Sequence, residues 1–80
     1  MTTDEQAVLQ IINTYTQEGA SWNVNIDELC RLTTLEKEEL MQTINVLKGE
    51  GYIDMKANES SLLIAITHTG YEAALDAPQF

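Results

Sequence analysis

The chain is poor in the residues that most small-protein chemistries need. It has one cysteine (Cys30), one histidine (His68) and one proline (Pro78) among 80 residues. A single cysteine excludes an internal disulfide framework and offers no CxxC pair for zinc. A lone histidine without a second ligand at metal spacing is a poor metal site. Gly19, Gly49, Gly51 and Gly70 are isolated from one another, so no phosphate-cradling loop can be built from them. Ser21, Ser60 and Ser61 lack a nucleophile-elbow context. The sequence therefore reads as non-enzymatic, with no cofactor, no metal and no small-molecule ligand inferred. No apolar run approaches the ~20 residues of a membrane span. The opening MTTDEQ is polar and acidic, unlike a secretory signal, so the expected setting is cytoplasmic.

Positive charge is scarce as well. Arg31, Lys37, Lys48 and Lys56 face thirteen acids, giving a formal net charge of −9. A nucleic-acid-binding domain normally shows a basic excess or a concentrated basic stripe. Four bases spread from residue 31 to residue 56 do not suggest one, and a field of this sign favours a basic partner.

What is present suits one small folded domain, residues 1–80. A hydrophobic share of 44% is ordinary for a globular chain. At this length only ~60–65% of the unfolded surface can be buried, so the core is small.

Helical and strand periods alternate along the chain. Val8, Ile11, Ile12 and Tyr15 fall at i, i+3, i+4 and i+7, which predicts an amphipathic helix over 4–18. Thr3 with Gln6 fits a capping box at its start, and Gly19 fits a stop. Trp22 and Val24 alternate with polar neighbours in a short extended segment. Asn25 then reads as an N-cap, boxed with Glu28, for the helix IDELCRL, with Ile26, Leu29 and Cys30 inward and Arg31 outward.

Leu40, Ile44 and Leu47 give a longer third helix, ended by Gly49 and Gly51. After Gly51 the period changes to two. YIDMK and SLLIAIT form a hairpin around the polar loop at 57–60, and Thr67 caps a short last helix, HTGYEAALDA, where Gly70 permits close packing. Cys30 suits a buried small hydrophobe, and His68 a solvent-exposed first turn.

This order resembles a winged helix-turn-helix domain over almost the whole chain: α+β, with a three-helix core, a two- to three-stranded wing hairpin and a short C-terminal helix. The resemblance is carried by Leu29, Cys30, Leu35, Leu40, Ile44, Leu47, Gly51, Tyr52 and Ile53, by the hairpin, and by ITHTGYEAAL, which looks like the segment closing the wing in MarR- and PadR-type bacterial regulators. It implies that the third helix and the wing are the contact surfaces. Aligned by its leucines, the third helix offers Glu36, Lys37, Glu38, Glu39, Met41, Gln42 and Asn45, and the wing offers Lys56, Asn58 and Glu59.

Two functions compete for that surface. Three carboxylates beside one lysine are ill suited to a polyanion, since non-specific DNA affinity comes almost wholly from basic phosphate contacts. The preferred expectation is a protein-protein interaction adaptor or regulator in transcription control that engages a basic protein partner, with nucleic acid placed second. The alternative is a small DNA-binding transcriptional regulator, in which Gln42 or Asn45 pairs with adenine. A plainer account also exists: glutamates at 36, 38 and 39 stabilise a helix N-terminus whatever the helix does. A homodimer through the terminal helices is expected, with Leu9, off the main stripe, and Phe80 as candidate contacts.

Overall fold

The computed structural model describes residues 2–16 and 20–75. Its elements run α1 (Thr3–Tyr15), β1 (Ser21–Asn25), α2 (Ile26–Thr33), α3 (Lys37–Gly49), β2 (Ile53–Ala57), β3 (Ser61–Ile66) and α4 (His68–Leu75). The three strands form one antiparallel sheet in the order β1-β3-β2. This is the helix-turn-helix with a wing that the sequence predicts, and the short segment at Trp22 is the third strand.

The core lies between the helices and one sheet face. Val8, Leu9, Ile12, Leu29, Leu40, Ile44, Leu47, Ile53, Leu62 and Ile64 are fully buried in it. Strand alternation sends Val24, Leu62, Ile64, Ile66 and Ile53 inward. Cross-strand pairing places Asn23, Leu63 and Lys56 side by side on the opposite face.

Helix α1 departs from expectation in three respects. It starts one residue earlier, at an N-cap formed by Thr2. The Thr2 hydroxyl accepts from the Glu5 amide at 3.2 Å, and the Glu5 carboxylate accepts from the Thr2 amide at 2.7 Å. It ends at Tyr15, where the Thr16 hydroxyl donates to the Ile12 carbonyl at 2.7 Å; the Gly19 stop lies outside the described residues. Its buried face is also rotated. Leu9 is only 1% exposed, which removes it as a dimer contact, whereas Tyr15 is 53% exposed and stacks on Trp22 at 4.9 Å. The reason is that α1 packs against α2, α3, α4 and β3 together, so a stripe wider than one narrow seam is covered. Phe80, the other proposed dimer contact, lies outside the described residues.

Asn25 caps α2 as expected, but through Asp27, whose amide donates to Asn25 Oδ1 at 2.8 Å; the box with Glu28 does not form. Helix α2 ends at Thr34, which holds the left-handed conformation at φ 57°. Cys30 is half-buried against the core.

Helix α3 ends in a Schellman arrangement: the Tyr52 amide donates to Leu47 and the Gly51 amide to Lys48, each at 3.0 Å, with Gly51 at φ +82°. The turn is then fastened to α4. Thr67 donates its amide to the Tyr52 carbonyl at 3.0 Å and its hydroxyl to the Gly51 carbonyl at 2.7 Å, while the same hydroxyl accepts from the Gly70 amide at 3.0 Å. A Cβ on Gly70 would collide with the Tyr52 carbonyl, whereas one on Gly49 would meet nothing within 4 Å.

These two glycines make a paired test. Gly70→Ala is expected to destabilise the domain by about 1–3 kcal/mol, because backbone rather than a pliable side chain must move. At this chain size each kcal/mol lowers the melting temperature by about 4–8 °C. Gly49→Ala is expected to leave stability unchanged or raise it by up to about 1 kcal/mol, since Gly is the poorer helix former. Equal melting temperatures for both variants would contradict the close packing at Gly70.

Candidate recognition surface

Helix α3 presents its surface because only one side of it is needed for the core. Leu40, Ile44 and Leu47 form the buried stripe. At about 100° per residue, the side chains that point furthest from that stripe are those of Glu38, Gln42 and Asn45, with Gly49 between them, and all are exposed. The outer ridge thus carries one carboxylate and two amides.

The remaining charges separate onto the two flanks. Lys37 and Lys48 are eleven positions apart (48 − 37), three helical turns, and so share one flank about 17 Å apart along the axis. Glu39, Val46 and Glu50 lie on the other flank. Among the described residues, none of Arg31, Lys37, Lys48 and Lys56 forms an ion pair, so these cations are free to meet an external group.

This alters the picture of three carboxylates facing a partner together. Glu36 precedes the helix as its N-cap and makes no capping bond through its side chain. Glu39 is turned aside from the ridge, leaving Glu38 as the ridge carboxylate. Met41 is half-buried against the core on the lysine flank, so its contact area is partly consumed by the fold. The wing tip is a tight polar turn: the Asn58 amide donates to the Ser61 carbonyl at 2.9 Å and Asn58 Oδ1 accepts from the Glu59 amide at 3.0 Å. Lys56, Asn58 and Glu59 are all exposed around it.

Chemistry of other kinds finds little support among the described residues. No group of three or more His, Cys, Asp or Glu could hold a metal ion. His68 is on the surface, with its Nε2 2.7 Å from the Glu72 carboxylate one turn on. No helix is long and apolar enough to cross a membrane.

No family model and no curated protein matches this sequence. Solved structures do match. Two crystal structures of MarR family transcriptional regulators, one from Silicibacter pomeroyi DSS-3 and one from Silicibacter pomeroyi, superpose with a TM-score of 0.71 over 94% of this chain. The fold is a MarR-type winged helix. Sequence identity to both is 16%, so the likeness is one of fold, and this chain spans 50% of the length of each.

The two glutamates in the first turn of α3, Glu38 and Glu39, have a structural role that can be measured apart from any partner. Replacing both with glutamine is expected to lower stability by about 0.3–1 kcal/mol per residue at low ionic strength, and by less at high salt, through loss of their interaction with the helix dipole. Urea titrations at two salt concentrations read this. An unchanged midpoint at low salt would mean that helix stability does not account for these acids.

Proposed function

We propose that this chain is a non-enzymatic winged-helix domain acting in transcription control, with the outer ridge of α3 and the wing as its reading surface. The observation that carries this reading is the MarR-type fold, joined to an α3 whose Glu38, Gln42 and Asn45 stand clear of the core. Because both structural neighbours are transcriptional regulators, the DNA-directed form of this function is better supported than the protein adaptor that the composition favoured. The distribution of charge on α3 supports the same choice. Gln42 and Asn45 are the side-chain types that pair with adenine in the major groove, and glutamate accepts from cytosine. Lys37 and Lys48 stand on one flank where phosphates could be met.

The number of cations limits how such a contact can work. With four bases in all, one chain can neutralise at most four phosphates. Affinity must then come from base contacts, from the wing, or from a second copy that doubles the phosphate contacts. The adaptor reading keeps one observation in its favour, the net charge of −9, which draws a basic protein more readily than a polyanion.

Titration of labelled mixed duplex separates the two. For the DNA-directed reading, binding is expected at micromolar protein in about 50 mM salt, weakening as salt rises with a log–log slope no steeper than about −3.6 per chain, the value for four phosphates. Changing Glu36, Glu38 and Glu39 together to lysine should strengthen DNA binding and weaken capture of a basic protein partner. Absence of binding at low salt, with the triple variant losing a captured partner, would replace the DNA reading by the adaptor.

A further inference from the structure

A cavity of about 220 Å³ opens beside the acidic flank of α3, where the end of that helix meets the start of α1. It is lined by Glu5, Val46, Leu47, Glu50 and Tyr52. We propose that this cavity is a binding site for a small organic cation: an alkylguanidinium or alkylammonium group on a short apolar stem. The site is separate from the ridge of α3 and does not rest on the transcriptional reading.

The lining sets both halves of that chemistry. Val46, Leu47 and Tyr52 supply the apolar part. Leu47 belongs to the core, Tyr52 is half-buried against it, and Val46 is 45% exposed. Glu5 and Glu50 supply two carboxylates, and among the described residues neither is paired with a lysine or arginine. One Glu5 oxygen accepts from the Thr2 amide, which holds the side chain in place.

The negative end of the α3 dipole lies at the same spot, adding to the attraction for a cation and opposing an anion. Size restricts the occupant further. Drug-sized ligands occupy pockets of about 300–1,000 Å³, so this one suits a group of side-chain dimensions. The nearest basic residue in sequence to Glu50, Lys48, sits on the opposite flank of α3.

Amide chemical-shift titration of the full chain with n-butylguanidinium tests the site, with sodium chloride as ionic-strength control and pentanoate as an anion of similar length. The expected result is saturable shifts centred on Glu5, Val46, Glu50 and Tyr52 with a Kd of about 1–10 mM, a range reasonable for so small a ligand. Pentanoate should give none. The double variant Glu5→Gln, Glu50→Gln keeps the cap on α1, because glutamine also completes a capping box, and should weaken binding about fivefold or more. A parallel titration with N-acetyl-arginine amide identifies the source. Affinity equal to or above that of butylguanidinium points to a protein side chain, and weaker binding to a free small cation. No saturation, an equal response to pentanoate, or unchanged affinity in the double variant would overturn the proposal.

Discussion

The carbonyl of Tyr52 is the point on which the arrangement of helix, wing and last helix depends. It accepts from both the amide and the hydroxyl of Thr67, at 3.0 and 2.9 Å, and the backbone of Gly70 lies against it. Four elements meet there: the end of α3, the start of β2, the end of β3 and the start of α4. The Thr67 hydroxyl has three polar neighbours: its single proton is shared between the Gly51 and Tyr52 carbonyls, and its oxygen accepts from the Gly70 amide. One side chain thus satisfies the exit of α3 and the entry of α4 together, where each helix end would otherwise leave backbone groups without partners. At the far end of α4, Gln10 of α1 donates to the Ala74 carbonyl, so the last helix is held at both ends.

With the end of α3 fixed in this way, its rotation is fixed too, and the meaning of its charges follows. Counted as composition, the chain is acidic and hostile to a polyanion. Arranged on the observed stripe, α3 has an amide-bearing ridge, a lysine flank and a glutamate flank. A carboxylate ~6 Å from a phosphate in water is opposed by roughly 0.7 kcal/mol before screening. For the DNA-directed contact proposed above, Glu38 alone on the ridge would cost less than two good base contacts would gain, at ~1–3 kcal/mol each. Under that proposal the constraint that remains is the small number of phosphate contacts four bases could make, which bears on affinity more than on the choice of surface.

Much of the fold was legible because the residues that specify it act locally. The 3.6-residue stripe of Leu40, Ile44 and Leu47, the change of period after Gly51, Asn25 as a cap and Thr67 before Gly70 each announce their structure within a few positions. Other features are not settled by apolar spacing alone. Leu9 looked peripheral because a single stripe fits Val8, Ile11 and Ile12, and only the packing of α1 against several elements at once buries it. Thr2 with Glu5 and Thr3 with Gln6 both fit a capping box, and only the bonds formed show that the first is used. The flanks of α3 were available in the spacing of Lys37 and Lys48. A net charge, which sums them, hides that separation. Nothing in the sequence marks the cavity between Glu5 and Glu50, which lie forty-five positions apart (50 − 5).

The turn between α2 and α3 shows where strain is tolerated. Thr34 adopts φ 57°, a region costly for a β-branched residue, by about 1–2 kcal/mol relative to an ordinary helical conformation. Among the described residues its hydroxyl bonds only to the neighbouring Thr33 carbonyl, at 2.7 Å, which is slight compensation. Glycine would hold that turn with less steric strain, yet would add freedom to the unfolded chain and to the joint itself. This is the joint that sets the angle between α2 and α3, and α3 carries the ridge of Glu38, Gln42 and Asn45. A stiff residue at this position favours one orientation of the ridge relative to α2. Surface contacts too few to be corrected by mass of charge depend most on that geometry being held in advance.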